Sequence, residues 1–206
     1  MTPFWTLLGP DFAGKSSALA GLRAAGVTVV SHDDEFLGER ALVSKVRGLW
    51  IPDALPFAGT RYTHELVLSV MHPVILHQRD ALARQAGPGP VVIDSYYYKP
   101  MAACALRGVT HEPTFDHWRS FPRPEGVVYL DVPPAVTWAR AGDGALASVF
   151  EHYGAEATEE SFTRFQHDLR ERMFAEIGDL PVTVVDGTEP PEAVLAKVVA
   201  AVGAVS

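Results

Sequence analysis

The 206-residue chain has a single cysteine, Cys104. No internal disulfide is therefore possible, and the usage is that of a reducing cytosol, which predicts a cytoplasmic protein. Cys104 lies in an apolar stretch and reads as a small buried side chain. No window approaches the roughly 18 apolar residues that a membrane span needs. The opening "MTPFWTLLGPDF" has no basic n-region and an apolar run of only strand length, so no signal peptide is expected. Positive charge is also scarce: 17 Lys and Arg against 25 Asp and Glu give a formal net charge of −8. That balance argues against broad nucleic-acid binding, which needs a basic surface to displace counterions. It leaves room for a small anionic ligand, because backbone N–H groups and one lysine can build a phosphate site. There is no internal repeat and no low-complexity linker. One domain spanning 1–206 is expected, long enough to bury a core without metal or disulfide staples.

What is present is an alternation of short apolar runs with longer helical patterns. Phe4–Leu8, Val27–Ser31, Gly89–Asp94, Gly126–Val132 and Pro181–Gly187 read as Val-rich strands, apolar on both faces. That is the signature of parallel strands covered by helices on both sides. Helical patterns run over Lys15–Gly26, Tyr62–Arg84, Pro134–Ala141, Glu159–Ile177 and Glu189–Val202. Pro73 should break or kink the second of these. In the fourth, Phe162, Phe165, Leu169, Met173 and Ile177 form a stripe expected to face the core. "QAGPGP" (Gln85–Pro90) reads as a turn. The order predicts an α/β fold: a doubly wound, five-stranded parallel sheet flanked by helices.

Between the first strand and the first helix stands "GPDFAGKSS". Gly9, Gly14, Lys15 and Ser16 complete the pattern G-x-x-x-x-G-K-[ST] in the strand–loop–helix context that its mechanism requires. Successive N–H groups of such a loop bind phosphate oxygens, and the helix N-terminus adds partial positive charge. The loop residues Gly9, Asp11, Phe12, Ala13, Gly14, Lys15, Ser16 and Ser17 are therefore candidate binders of a nucleoside triphosphate such as ATP. Lys15 is expected on the β and γ phosphates and the Ser16 hydroxyl on Mg²⁺. A magnesium shell also needs a carboxylate at a neighbouring strand end. Asp94, the last residue of its strand, is favoured over Asp131, which Val-Pro-Pro follows.

Ligands of such sheets gather outside the carboxyl ends of the strands. The second strand ends in "SHDDEF", with His32, Asp33, Asp34 and Glu35. This is either a source of a base or sugar-hydroxyl ligand, with Asp33 the sharper candidate, or a solvated acidic turn. "RGLWIPDALPFAGTRYTHE" offers Trp50, Phe57 and Tyr62 to sandwich a planar base and Arg61 to hold an acceptor; a surface loop is the plainer alternative. Of the tyrosines that follow Asp94, Tyr96 or Tyr97 is expected to face the cleft.

"GPDFAGKSS", "VVIDSYYY", "VVYLDVPPAVTWAR" and "VTVVDGTEPPEAVLAKV" stand in the order seen in thymidylate kinase-like enzymes. The chain resembles that group over nearly its whole length; those enzymes share a P-loop kinase fold with the deoxynucleoside kinases. The resemblance implies Mg-ATP as donor, a nucleoside monophosphate or modified nucleotide as acceptor, a lid at about 141–158, and a possible homodimer. It puts Asp94 in the place of the acid of an Asp-Arg-Tyr motif. Arg140 takes the place of a lid-entrance arginine that offsets charge during transfer, and Asp186 lies beside the donor's adenine. His72 falls near the position of a base-reading arginine. Departures accompany the match. Ser95 stands where the group has arginine, the loop's middle residues Pro10, Asp11, Phe12 and Ala13 include none, and the lid offers only Arg140. An acceptor other than ordinary thymidylate fits these departures, with a nucleoside or natural-product hydroxyl, or a nucleotide-binding module with little catalysis, as alternatives.

Overall fold

Strands β1 (Phe4–Leu8), β2 (Thr28–Val30), β3 (Val91–Asp94), β4 (Gly126–Asp131) and β5 (Val182–Asp186) form one sheet in the order β2-β3-β1-β4-β5. Every pairing is parallel. The structure, a computed structural model, describes residues 2–33, 36–37, 42–87 and 89–203. Asp34 and Glu35 of the acidic "SHDDEF" segment, and Pro88 of the expected turn, lie outside the described residues.

Alternation along the strands builds a core on each face of the sheet. Phe4, Leu8, Val91, Ile93, Val127 and Tyr129 join one apolar cluster. There they meet α3 (His64–Ala83), α4 (Tyr98–Leu106), α5 (Glu112–Arg119) and α7 (Glu159–Ile177). Leu7, Val92, Val128, Leu130 and Val185 join the other, against α1 (Lys15–Ala24) and α8 (Pro191–Ala201). The expected stripe of α7, from Phe162 to Ile177, is buried throughout. Helices α2 (Leu42–Leu49) and α6 (Pro134–Arg140) complete the set among the described residues. Cys104 is fully buried in α4, where burial pushes its thiol up to about 12.

Three expectations needed revision. The edge strand β5 is not apolar on both faces, because Thr183 and Val184 are exposed. Pro73 does not break α3, which runs on to Ala83. The carbonyl it leaves without an intrahelical donor belongs to Ser69, an exposed residue whose oxygen water can reach. Helices α2, α4 and α5 were not among the helical patterns expected from the sequence. Helix α4 is short and buried nearly all round, so it shows no polar face to mark a period.

Helix α7 is started by a capping box in which Thr158 and Ser161 exchange side chain-to-backbone hydrogen bonds, while Phe165 anchors its buried face. Thr158→Ala should lower stability by about 1 kcal/mol and Phe165→Ala by about 3–5 kcal/mol in denaturant unfolding. The reverse ranking would show that packing does not dominate the helix.

Candidate functional site

Parallel register sets the site. Leu7 of β1 pairs with Asp94 of β3, so the carboxylate that ends β3 stands beside the loop that leaves β1. The loop needs its glycines. A Cβ at Gly9 would lie 2.8 Å from the Leu130 carbonyl oxygen, and Gly14 enters α1 at φ +89°. Unlike α3 and α7, helix α1 begins with no side-chain cap and no acidic residue in its first turn. Its first N–H groups are therefore left for an outside anion.

In front of this loop lies a cavity of about 510 Å³. It is lined by Asp11–Ser17 and Arg140, by His32, Asp33 and Arg47, and by Asp94, Ser95, Lys99 and Pro100, with Trp50, Ile51 and Met71 as its apolar lining. Ser148, Phe150 and Glu151 reach it from the segment 141–158. Arg107 fastens that segment by donating to the carbonyls of Val149 and His152, the latter at 2.7 Å. Trp50 is fixed by its Nε1–H on the Val67 carbonyl (2.8 Å) and packs edge-on against Phe150.

Charge is concentrated here. Lys15 folds back over the loop and donates to the carbonyls of Gly9 (3.1 Å) and Pro10 (2.6 Å). Burial, reinforced by the neighbouring Lys99 ammonium, pulls its pKa down to about 7 against the pull of Asp11 and Asp94. Lys99 donates to Asp11 Oδ1 at 2.5 Å. Burial works against the charge of both partners. Their mutual attraction nevertheless raises the Lys99 pKa, and Lys99 with Lys15 holds the Asp11 carboxyl below its ordinary value. Asp94 is 4% exposed. Its two oxygens accept from Ser31 Oγ and Ser95 Oγ, each at 2.9 Å. Burial would raise its pKa, but His32, Lys15 and the two serine donors keep it ionised. Gln78 buttresses the strand end with 2.7 Å to the Asp94 carbonyl and 3.2 Å to His32 Nδ1. Arg47 pairs with Asp33 at 3.0 Å and also donates to the His32 carbonyl. Glu151 is pushed up to about 7 by burial and by the facing Asp11.

Thus Asp11, Phe12, Ala13, Gly14, Lys15, Ser16, Ser17, Asp33, Asp94 and Arg140 all line one space. Arg140 reaches the Gly187 carbonyl (3.0 Å) and the Phe12 carbonyl (3.4 Å). Other candidates lie elsewhere. Asp186 accepts from the backbone and hydroxyl of Thr188 and borders a second cavity with Asp131 and Arg170. Phe57, Arg61 and Tyr62 pack on one another at the surface. His72 accepts from Trp118 Nε1 at 2.8 Å; Met71 takes the cavity-facing position, and the next residue turns about 100° round the helix. Tyr96 and Tyr97 are core residues, 0% and 3% exposed. Ser95 and Tyr96 both have positive φ, 55° and 47°, and this turn sends the aromatic rings inward. The same turn brings Lys99 back to the loop. Sequence reading gave Lys99 no role, because its only signal was a position five residues beyond Asp94. Ser31, Gln78 and Glu151 were missed for the same reason: each acts across long sequence separations.

No family model matches the sequence, and no curated protein matches it. Among solved structures the fold is similar to that of a deoxyadenosine kinase from M. mycoides, described with products dCMP and a flexible dCDP bound. The TM-score is 0.65 at 13% identity, covering 98% of this chain and 100% of that one. The likeness is one of fold: a five-stranded parallel sheet flanked by helices.

A Lys15 that titrates near 7 in the free protein becomes fully charged when phosphate oxygens replace the carbonyls it now touches. Binding of inorganic tripolyphosphate at pH 7.5 should therefore take up protons, and affinity should fall by up to about tenfold per pH unit as pH rises above 7. Calorimetry in buffers of different ionisation enthalpy measures the uptake. Lys15→Arg, which keeps its charge, should abolish most of it.

Proposed function

We propose that the chain is a Mg-ATP-dependent kinase that transfers the γ-phosphoryl group to a hydroxyl of a small, nucleoside-like acceptor. The observation that carries this reading is the single cavity in which an uncapped glycine-loop helix start with Lys15 faces Asp94 and Asp33. The loop amides and Lys15 hold the β and γ phosphates. The residues fit magnesium. The Ser16 hydroxyl and an ionised, serine-braced Asp94 offer hard oxygens to the same cavity, and a carboxylate oxygen of Asp33 lies within 4.8 Å of one of Asp94. Once bound there, the ion would neutralise phosphate charge.

The transfer is mostly positioning and charge neutralisation. The acceptor oxygen forms its bond to the γ-phosphorus while the bond from that phosphorus to the β–γ bridging oxygen breaks. ADP carries away the electron pair. The hydroxyl proton passes to the Asp33 carboxylate, which Arg47 orients at 3.0 Å. Asp94 serves poorly as the base because both its oxygens already accept hydrogen bonds. At the acceptor end the lining cation is Arg47, already committed to Asp33 and the His32 carbonyl. That commitment favours an uncharged hydroxyl compound over the monophosphate expected from the sequence. Trp50, Ile51 and Met71 supply the apolar wall for its ring. On this reading the chain is one kinase domain, the segment 141–158 is its lid, and Arg140 stands at the lid's entrance.

One observation favours a nucleotide-binding module instead: Arg140 is tied to the carbonyls of Phe12 and Gly187. An assay of ATP consumption over nucleosides, nucleoside monophosphates and sugars separates the two. The kinase reading expects acceptor-stimulated ADP release, greatest with a nucleoside-like alcohol, and a loss of about 10³-fold in Lys15→Ala and in Asp94→Asn. Tight ATP binding with no stimulation by any acceptor supports the module. Near-normal transfer by Lys15→Ala sinks the mechanism.

A further inference from the structure

The transferred group carries charge on three oxygens, and P-loop kinases neutralise it with cations beyond the loop lysine. Of the arginine positions that the family resemblance implies, Arg140 fills the one at the lid entrance, and Ser95 and the loop's middle residues leave others without arginine. Arg47 is occupied with Asp33 on the acceptor side, and Arg140 with two carbonyls. Arg164 covers the Tyr153 ring, and Arg170 pairs with Asp131 at 3.2 Å over the rings of Tyr129 and Phe174. Neither of these lines the cavity.

Lys99 does. Its side chain is 14% exposed, and its hydrogen bond among the described residues goes to Asp11, inside the phosphate loop itself. An ammonium has three donors, so this bond leaves two for another acceptor. Lys15 stands next to it, and the Lys99 ammonium opposes the charge of Lys15. A buried ion pair is a weak source of stability compared with apolar packing. Two lysines crowded at the mouth of an uncapped helix are worse still without an anion. The preceding turn places Lys99 at some expense of backbone strain: Ser95 and Tyr96 both hold positive φ.

We propose that Lys99 is a catalytic residue: a second phosphate-binding lysine that touches the γ-phosphoryl group and takes the place of the missing arginine. The role rests on the phosphoryl-transfer reading above. Asp11 holds the ammonium in place when no phosphate is bound and stays bonded to it afterwards, while the free donors turn to the γ oxygens. Lys15 spans the β and γ phosphates, so the two lysines divide the triphosphate between them.

Calorimetric titration with ADP and with a non-hydrolysable ATP analogue tests this without knowledge of the acceptor. Lys99→Met should weaken the analogue about tenfold or more and leave ADP within about twofold, erasing the preference for a third phosphate. Lys99→Arg should restore most of that preference. Lys15→Ala should weaken both nucleotides. Because Lys99→Met strands a buried carboxylate, the double variant Asp11→Asn/Lys99→Met is the companion, and it too should lack the preference. Equal losses for ADP and the analogue in both variants would make Lys99 a brace of the loop and overturn the proposal. An unchanged preference in both would also overturn it. If the unmodified protein binds neither nucleotide, the phosphoryl-transfer reading fails and this role fails with it. Binding of both with Lys99 indifferent removes this role alone.

Discussion

Two ammonium groups in one buried space are the constraint around which this site is organised. Burial penalises the charge of both Lys15 and Lys99, and Lys99 further opposes the charge of Lys15. The protein's own answer is partial. Asp11 sits against Lys99, Asp94 is kept ionised by two serines and His32, and Lys15 leans on two loop carbonyls. A carbonyl dipole is a poor substitute for a full negative charge, which is why Lys15 is left with a pKa near neutrality. Anionic oxygens delivered to the head of α1 would satisfy both lysines and the orphan N–H groups together.

The sheet makes this possible by putting β3 beside β1. With Leu7 opposite Asp94, the loop after β1 and the carboxylate after β3 emerge side by side. Adjacent β2 brings Ser31, His32 and Asp33 to the same rim. Crossing to β4 on the other side of β1 instead leads to Asp131, which turns to Arg170 and a separate cavity. Strand order thus decides which of two similar strand-end aspartates joins the phosphate loop. Their local sequences, "VVID" and "YLDV", carried much less of that information.

The contrast runs through the whole site. The glycine loop and all five strands were legible because their signals are local: a spacing of glycines, a run of valines, a helix starting where the loop ends. The strand β1 and helix α7 carry the boundaries expected from the pattern alone. The segment Arg47–Glu65 was legible only as a neighbourhood. Within "RGLWIPDALPFAGTRYTHE", Arg47, Trp50 and Ile51 reach the cavity, while Phe57, Arg61 and Tyr62 pack on one another. Which residue faces in depends on a π-helical turn at Trp50–Ala54, a backbone form with no sequence rule to announce it. Tyr96 and Tyr97 were misdirected by two successive dihedrals. At His72 the difference is a single helical step from Met71. Lys99 and Glu151 meet Asp11 from 88 and 140 residues away along the chain, and no window of sequence contains that encounter.

The departures from an arginine-rich kinase pattern form a consistent set when the charges are followed through space. The phosphate loop carries an acid, Asp11, where an added arginine would otherwise find no counter-charge, and Lys99 answers it from α4. The segment 141–158 presents Glu151 to the cavity rather than a cation, and burial with the facing Asp11 pushes that carboxyl up to about 7. A fully ionised Glu151 would add to Asp11 and oppose an incoming phosphate; a protonated one does not. Gln166 ties the two segments together, taking the Asp11 N–H at 3.4 Å and donating to the Glu151 carbonyl at 3.1 Å. On the proposed reading, cationic work that arginines would do from a lid falls to a lysine on the rigid side of the cavity, and the lid needs no more than to exclude water. Phe150 against Trp50 is suited to that lesser task.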